Sequence, residues 1–331
     1  MVVAAAGRNE GLALSARLIG RLLLCPVLLW AIYSLTFVMA VKIPGNPFTQ
    51  TERNILPEVQ RAIEARYRAD DNGRFYWDYL KGLFNPVEAW RGRRPLIDLG
   101  PSWQYGDWTC NQIVSAALPV SAGLGLLAML LATAVGVPAG VLSAVHRNSW
   151  FDYLCVGLAL VGVSLPTFVT GTAVLIGLAV GLGWFPVGGW GRLSQLPLPA
   201  LTLSLPFMAY IARLTRLGML EVLSSDYIRT ARAKGLSERQ VIWKHALKNA
   251  FLPVLSFLGP AMALALTGSF VVESIFNVPG LGRHFVDSIL NRDRGMILAT
   301  VLVYSAVIVV FNLAVDAAYH LVDPRIEAEG T

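Results

Sequence analysis

Charge is scarce in this 331-residue chain. Only 15% of its residues are Asp, Glu, Lys or Arg, against roughly a quarter in a soluble domain. That shortage excludes disorder and argues against an ordinary soluble enzyme. Cysteine is nearly absent: Cys25, Cys110 and Cys155 lie far apart without a CxxC spacing, so neither a disulfide framework nor a zinc site is signalled. The four histidines, His146, His245, His284 and His320, are dispersed. No HExxH or GxSxG motif occurs, which leaves metalloprotease and acyl-transfer chemistry without residues. The dipeptide Gly-Lys never occurs either, so no phosphate-binding P-loop exists. No catalytic, cofactor-binding or metal-binding residue is assigned. Energy for any uphill movement has to enter through another protein.

Apolar residues are plentiful, at 55% with a mean hydropathy of +0.56, and they gather into long runs. Leu22 to Val41 is free of Asp, Glu, Lys, Arg and His and long enough to cross hydrocarbon. Its length and the weak Val38-Met39-Ala40 pattern favour a membrane helix over a cleaved signal peptide. Asn111 to Val145, Leu154 to Gly191, Leu196 to Ala212, Ala250 to Val272 and Met296 to Val315 are similar runs. The expectation is an all-α polytopic membrane protein with six transmembrane helices. Pro119, Pro138, Pro166 and Pro186 interrupt the two longest runs and predict kinks or re-entrant segments there. No run carries Asp, Glu, Lys, Arg or His near its middle, which disfavours a proton-driven carrier.

The net charge of +6 does not indicate a nucleic-acid partner, because the basic residues lie between apolar runs. Arg229, Arg232, Lys234, Arg239, Lys244 and Lys248 crowd the short connection from 218 to 250 and place it in the cytoplasm. Both termini then lie inside. The resulting plan is a cytoplasmic N-terminus at 1–21, a first helix at 22–41, an extracytoplasmic helical segment at 42–110, a five-helix core at 111–319 and a cytoplasmic tail at 320–331. In the segment 42–110 helices are expected from Leu56 to Tyr67 and from Phe75 to Leu83. Trp77, Trp90, Trp103 and Trp108 read there as membrane-interface anchors.

The basic connection is heavily punctuated. Ser224, Ser225 or Asp226 can cap a helix through Lys234, and Gly235 supplies a residue tolerant of positive φ beyond its end. Ser237 and Gln240 have capping-box spacing, and Val241, Ile242, Ala246 and Leu247 form an apolar stripe in a second helix. Two helices joined at a glycine make either a surface-lying connector at the lipid headgroups or a knob that docks a partner. The small side chains Ala231, Ala233 and Gly235 tilt the balance toward docking.

The residues Asp226-Tyr227-Ile228-Arg229-Thr230-Ala231-Arg232-Ala233-Lys234-Gly235-Leu236, followed by His245-Ala246-Leu247-Lys248-Asn249-Ala250, resemble the ATPase-contacting loop of ATP-binding-cassette importer permeases. The version is that of the peptide and nickel group. Arg229-Thr230-Ala231 stands where the general pattern has Glu-Ala-Ala, and Lys248 occupies its later proline position. Ile43-Pro44-Gly45-Asn46-Pro47-Phe48, Glu273-Ser274-Ile275-Phe276 with Pro279-Gly280-Leu281-Gly282, and the tail with Asn312, Asp316 and Asp323-Pro324-Arg325 extend the resemblance over nearly the whole chain. The fit is best to the B-type permease subunit of oligopeptide transporters.

The resemblance implies a type I importer permease architecture in a bacterial inner membrane. It implies as partners a homologous second permease, two cytosolic ATP-binding subunits that hold ATP and Mg, and an extracytoplasmic peptide-binding protein, beside membrane lipid. Asp226, Tyr227, Arg229, Thr230, Ala231, Arg232, Ala233, Lys234, Gly235, Leu236, His245 and Leu247 become the expected ATPase-coupling residues. Pro44, Gly45 and Pro47, and Pro279, Gly280 and Gly282, are either helix-ending turns or an outer gate and receptor contact. Glu273 is expected to be solvated at a helix end, and Asp316 to pair with a basic residue of the inner loop. Import of dipeptides, nickel complexes or glutathione by the same family remains the alternative, with a stand-alone channel or carrier as the alternative of another class.

Overall fold

The computed structural model describes residues 24–44, 71–93, 95–105, 108–267 and 269–322, the side chains of 315–322 excepted. The expected helix from Leu56 to Tyr67 and the residues Gly45 and Pro47 lie outside that set, as does the side chain of Asp316. Among the described residues no strand forms; isolated bridges join Phe84 to Ile97 and Pro101 to Thr109.

Five helices are long and apolar enough to cross a membrane: Leu24–Lys42, Cys110–Val145, Leu193–Leu223, Leu252–Ile275 and Arg294–Ala314. The pair Trp150–Ser164 and Thr167–Gly181, bent by 110° at its break, makes a sixth if it is one span. Pro166 explains the break. It has no N–H to continue the ladder, and Leu165 before it takes the extended conformation with ψ 130 that a following proline favours. Pro119 and Pro138 instead sit inside one continuous helix. No re-entrant break forms at these two prolines, as is common for a proline within a membrane span whose neighbours re-satisfy the freed backbone groups.

The helices used below are α1 (Leu24–Lys42), α2 (Asn72–Leu83), α3 (Cys110–Val145), α4 (Trp150–Ser164), α5 (Pro197–Leu223), α6 (Asp226–Ala233), α7 (Leu252–Ile275, in two segments), α8 (Leu281–Leu290) and α9 (Arg294–Val322). The chain divides into two compact units, 1–117 with 284–313 and 118–283 with 314–331.

In the first unit an aromatic cluster joins Tyr33 and Phe37 of α1 to Phe75, Tyr76 and Tyr79 of α2 and to Leu298 and Leu302 of α9. The Tyr33 hydroxyl donates to the Tyr76 carbonyl at 2.8 Å, which satisfies the polar tip of a ring buried to 1% exposure. Burial likewise pushes the Tyr79 phenol far above its usual range, and its hydroxyl donates to the Leu99 carbonyl. Trp103 is buried rather than an interface anchor: it meets Phe75 edge-on at 5.5 Å and lies beneath the Arg294 guanidinium. Trp77, Trp90 and Trp108 are exposed.

Asp293 organises this unit. It is buried and caps α9 by accepting from the Met296 N–H at 3.0 Å. Its other oxygen accepts from Ser102 Oγ at 2.5 Å and from the N–H groups of Trp103 and Gln104. A methyl group on Gly295 would stand 2.4 Å from the Pro101 carbonyl oxygen, so only glycine lets the strap at 101–104 lie against the start of α9.

In the second unit α3, α5 and α7 pack through small residues. A methyl on Gly136 or Gly140 would meet the carbonyl oxygens of Met208 or Ala212 at 2.8 and 2.4 Å. Asp152, in the first turn of α4, is buried and receives a bidentate grip from Arg216 of α5, Nε at 2.7 Å and Nη2 at 2.8 Å. Ser143 Oγ of α3 and the Asn148 N–H donate to the same carboxylate. One buried anion with four donors therefore ties three helices together at this end of the unit.

Candidate functional site

The segment from 224 to 250 folds as a helical hairpin. α6 starts after Ser225 in the extended conformation, though no side-chain cap bond forms there, and Gly235 takes φ 78 just beyond its end. That φ is open to glycine without strain. The second arm begins with the expected capping box: Ser237 Oγ accepts from the Gln240 N–H, and Gln240 Oε1 accepts from the Ser237 N–H at 3.2 Å. It continues through Glu238–Gln240, a π-helical stretch Val241–Ala246 and Leu247–Ala250.

Two polar contacts hold the arms to each other. Arg232 forks onto Glu238 at 2.8 and 3.3 Å across the turn, and Asn249 Nδ2 donates to the Tyr227 hydroxyl at 2.9 Å. The apolar side of the hairpin is driven into the unit's core: Ile228, Val241 and Ala246 are fully buried beside Met219 and Val254. Gly218 of α5 sits against the Ala250 carbonyl, 2.6 Å from where its Cβ would be. The hairpin is thus packed directly onto two spans, α5 and α7, through a close-packed apolar contact.

Of the expected coupling residues, Asp226, Tyr227, Arg229, Thr230, Arg232, Ala233, Lys234 and Gly235 are exposed, and Leu236, His245 and Leu247 are half-buried. Ala231 faces inward and is buried. Its small side chain serves the chain's own core and not a partner's cleft, which corrects the argument for docking drawn from it. The exposed rim is strongly basic, with Arg229, Lys234, Arg239, Lys244 and Lys248.

At the other end of α7 stands a cluster that the sequence did not disclose. Glu273 is 0% exposed, where a solvated carboxylate was expected. Oε1 accepts from Ser121 Oγ of α3 at 2.6 Å and from the Ser269 hydroxyl. Oε2 accepts from the Arg283 N–H at 3.0 Å. Ser121 Oγ in turn accepts from the Leu281 N–H at 2.8 Å. The loop 276–282 is therefore fastened to two spans through one side chain. Gly280 and Gly282 are buried against that carboxylate, with the positions of their missing Cβ atoms 2.4 and 3.0 Å from it, while Pro279 stands exposed at the tip. Pro44 is exposed beyond the end of α1. Among the described residues no group of three or more His, Cys, Asp or Glu is placed to hold a metal ion.

Residues 136–328 match the family model described as the binding-protein-dependent transport system inner membrane component. The chain belongs to that family. It is 44% identical over 301 residues to the oligopeptide transport system permease protein OppB of Salmonella typhimurium, covering 90% of this chain and 94% of the relative. The Escherichia coli K12 OppB is 43% identical over the same length. The dipeptide transport system permease protein DppB of Bacillus subtilis is 42% identical over 297 residues, 89% of this chain and 92% of that one. Among solved structures, a chain of the inward-facing methionine ABC transporter MetNI superposes with TM-score 0.56 at 18% identity, covering 64% of this chain and 97% of that chain. The fold is thus an all-α, multi-pass permease of the type I ABC importer architecture, and the hairpin at 224–250 falls within the matched family region.

Proposed function

We propose that this chain is the transmembrane permease subunit of an ATP-driven importer that passes oligopeptides from an extracytoplasmic binding protein into the cytoplasm. The 44% identity to an oligopeptide permease over 90% of the chain carries the reading. In this account the chain is non-catalytic. ATP and Mg are held by two partner ATPases, and a homologous second permease completes the pathway.

The hairpin at 224–250 is the coupling element, with its basic rim toward the cytoplasm and both chain termini on that side. Arg229, Thr230, Arg232, Ala233 and Lys234 meet the ATPase, and Gly235 fixes the angle between the two arms. The close packing of its apolar side against α5 and α7 favours this role over that of a surface-lying connector. The loop 276–282 lies on the outer face, where Pro279 and Pro44 are the exposed points for receptor contact. Gly280 and Gly282, being buried, shape the loop without touching a receptor. Spans free of mid-membrane charge suit a path for peptides whose side chains differ in sign, since no fixed charge can suit them all.

The dipeptide permease of Bacillus subtilis at 42% identity supports a second reading, import of shorter peptides by the same machinery. The test is uptake of labelled peptides of two to six residues into proteoliposomes holding the complete transporter. ATP-dependent uptake of peptides longer than two residues supports the oligopeptide reading, and uptake of dipeptides alone supports the second. Uptake without ATP contradicts both.

A further inference from the structure

We infer that the second unit carries a binding site for an anionic phospholipid, with the phosphate held at Arg213 and an acyl chain laid along α4. A cavity of about 330 Å³ opens between α3, α4 and α5, within the size range of small-ligand pockets. Its lining is apolar and open to the side: Ala139 from α3, Val156, Ala159 and Leu160 from α4, Ala209 from α5. Leu160 and Val156 are 66% and 45% exposed, so the trough faces whatever surrounds the helices.

Arg213 and Arg216 border it, but their states differ. Arg216 is committed to Asp152, which makes that pair neutral. Arg213 is exposed and has no anionic partner among the described residues. The depth of both can be read from α4. Trp150 and Tyr153, exposed on its first turn, mark the headgroup level, and Asp152 beside them holds Arg216 at that level. Arg213 lies three residues, about 4.5 Å, deeper along α5.

A lone guanidinium at that depth is costly in hydrocarbon. Its stem can rise to the interface, where a phosphodiester offers the planar, bidentate partner that arginine matches. One cation at the headgroup end of an apolar trough complements an amphiphile with one anionic group and a hydrocarbon tail. The inference requires only that the chain spans a membrane, which its family establishes, and does not depend on the peptide reading.

The test is native mass spectrometry of the intact transporter complex, titrated with dioleoylphosphatidylglycerol or dioleoylphosphatidylcholine. The wild type is expected to bind the anionic lipid more tightly by about fivefold, the scale of one basic residue against an anionic headgroup. Arg213→Gln, a change at an exposed position, should abolish that preference. Ala159→Phe, which fills the trough, should weaken both lipids. An unchanged preference in Arg213→Gln, or none in the wild type, overturns the site. So does a photo-cross-linker at position 160 that captures a protein subunit in place of lipid.

Discussion

Gly280 lies so close against Glu273 that a methyl group on its Cα would stand 2.4 Å from the carboxyl carbon. The carboxylate cannot swing aside, because Ser121, Ser269 and the Arg283 N–H hold it. Gly280→Ala is therefore expected to lower stability by about 1–3 kcal/mol, the scale of overpacking a tight interior. Glu273→Gln keeps the shape but turns amide N–H groups toward partners that donate to Glu273, and should lose about 1–3 kcal/mol, the cost of a buried polar group left unsatisfied. Thermal unfolding of the purified complex reads both. A Tm for Glu273→Gln equal to the wild type would contradict the anchoring role.

Asp152 and Arg216 make the second test. Arg216→Met leaves a carboxylate that is 2% exposed without its cation, a loss of about 3–5 kcal/mol for a buried charge. Combining it with Asp152→Asn should cost less than the sum of the two single changes. A double-mutant cycle of denaturation free energies measures the difference. Additive effects would show that the pair is not the tie between α4 and α5.

Asp293 joins the start of α9 to the strap at 102–104. Asp293→Ala removes the acceptor for Ser102, Trp103, Gln104 and Met296 together, and the lost helix cap alone is worth about 1 kcal/mol. The amides of Trp103 and Gln104 should exchange with deuterium faster in this variant. Unchanged protection would show that the aromatic packing of Trp103 holds the strap without it.

Gly235 separates strain from crowding. Nothing lies within 4 Å of where its Cβ would be, so within the chain only the positive φ opposes a side chain. Gly235→Asn, a residue that tolerates this conformation, should retain ATPase association. Gly235→Val meets a left-handed cost of about 1–2 kcal/mol and should weaken it while membrane insertion continues. Association equal in both variants and the wild type would detach the hairpin's angle from coupling.

The inner hairpin was legible in the sequence because its signals are local. The Ser237 and Gln240 spacing, the positive-φ glycine and the apolar stripe each act over a few residues, and the structure reproduces them. The spans were legible for a related reason, since lipid demands unbroken apolar length. The buried carboxylates were not. Glu273 looks like a solvated charge at the end of an apolar run, Asp293 carries no local sign of burial, and their partners Ser121 and Ser102 lie 152 and 191 residues away. The burial of Trp103 has no local signal either, because its packing against Phe75 and Arg294 comes from separate stretches of the chain. Prolines carried an ambiguous message. Pro166 breaks a helix, while Pro119 and Pro138 are absorbed by one, a difference set by neighbours that the sequence does not number.

The central claim is that this permease works only as part of an ATP-driven complex seated on the hairpin at 224–250. Affinity purification of the tagged chain from its native membrane under mild detergent, followed by mass spectrometry, tests it most directly. The account predicts recovery of a second, homologous permease together with one or two ATP-binding subunits, and loss of the ATPases but not of the permease in Gly235→Val. Recovery of the chain alone or as a homo-oligomer, under conditions that keep a related importer intact, would contradict it and point to a self-sufficient channel or carrier.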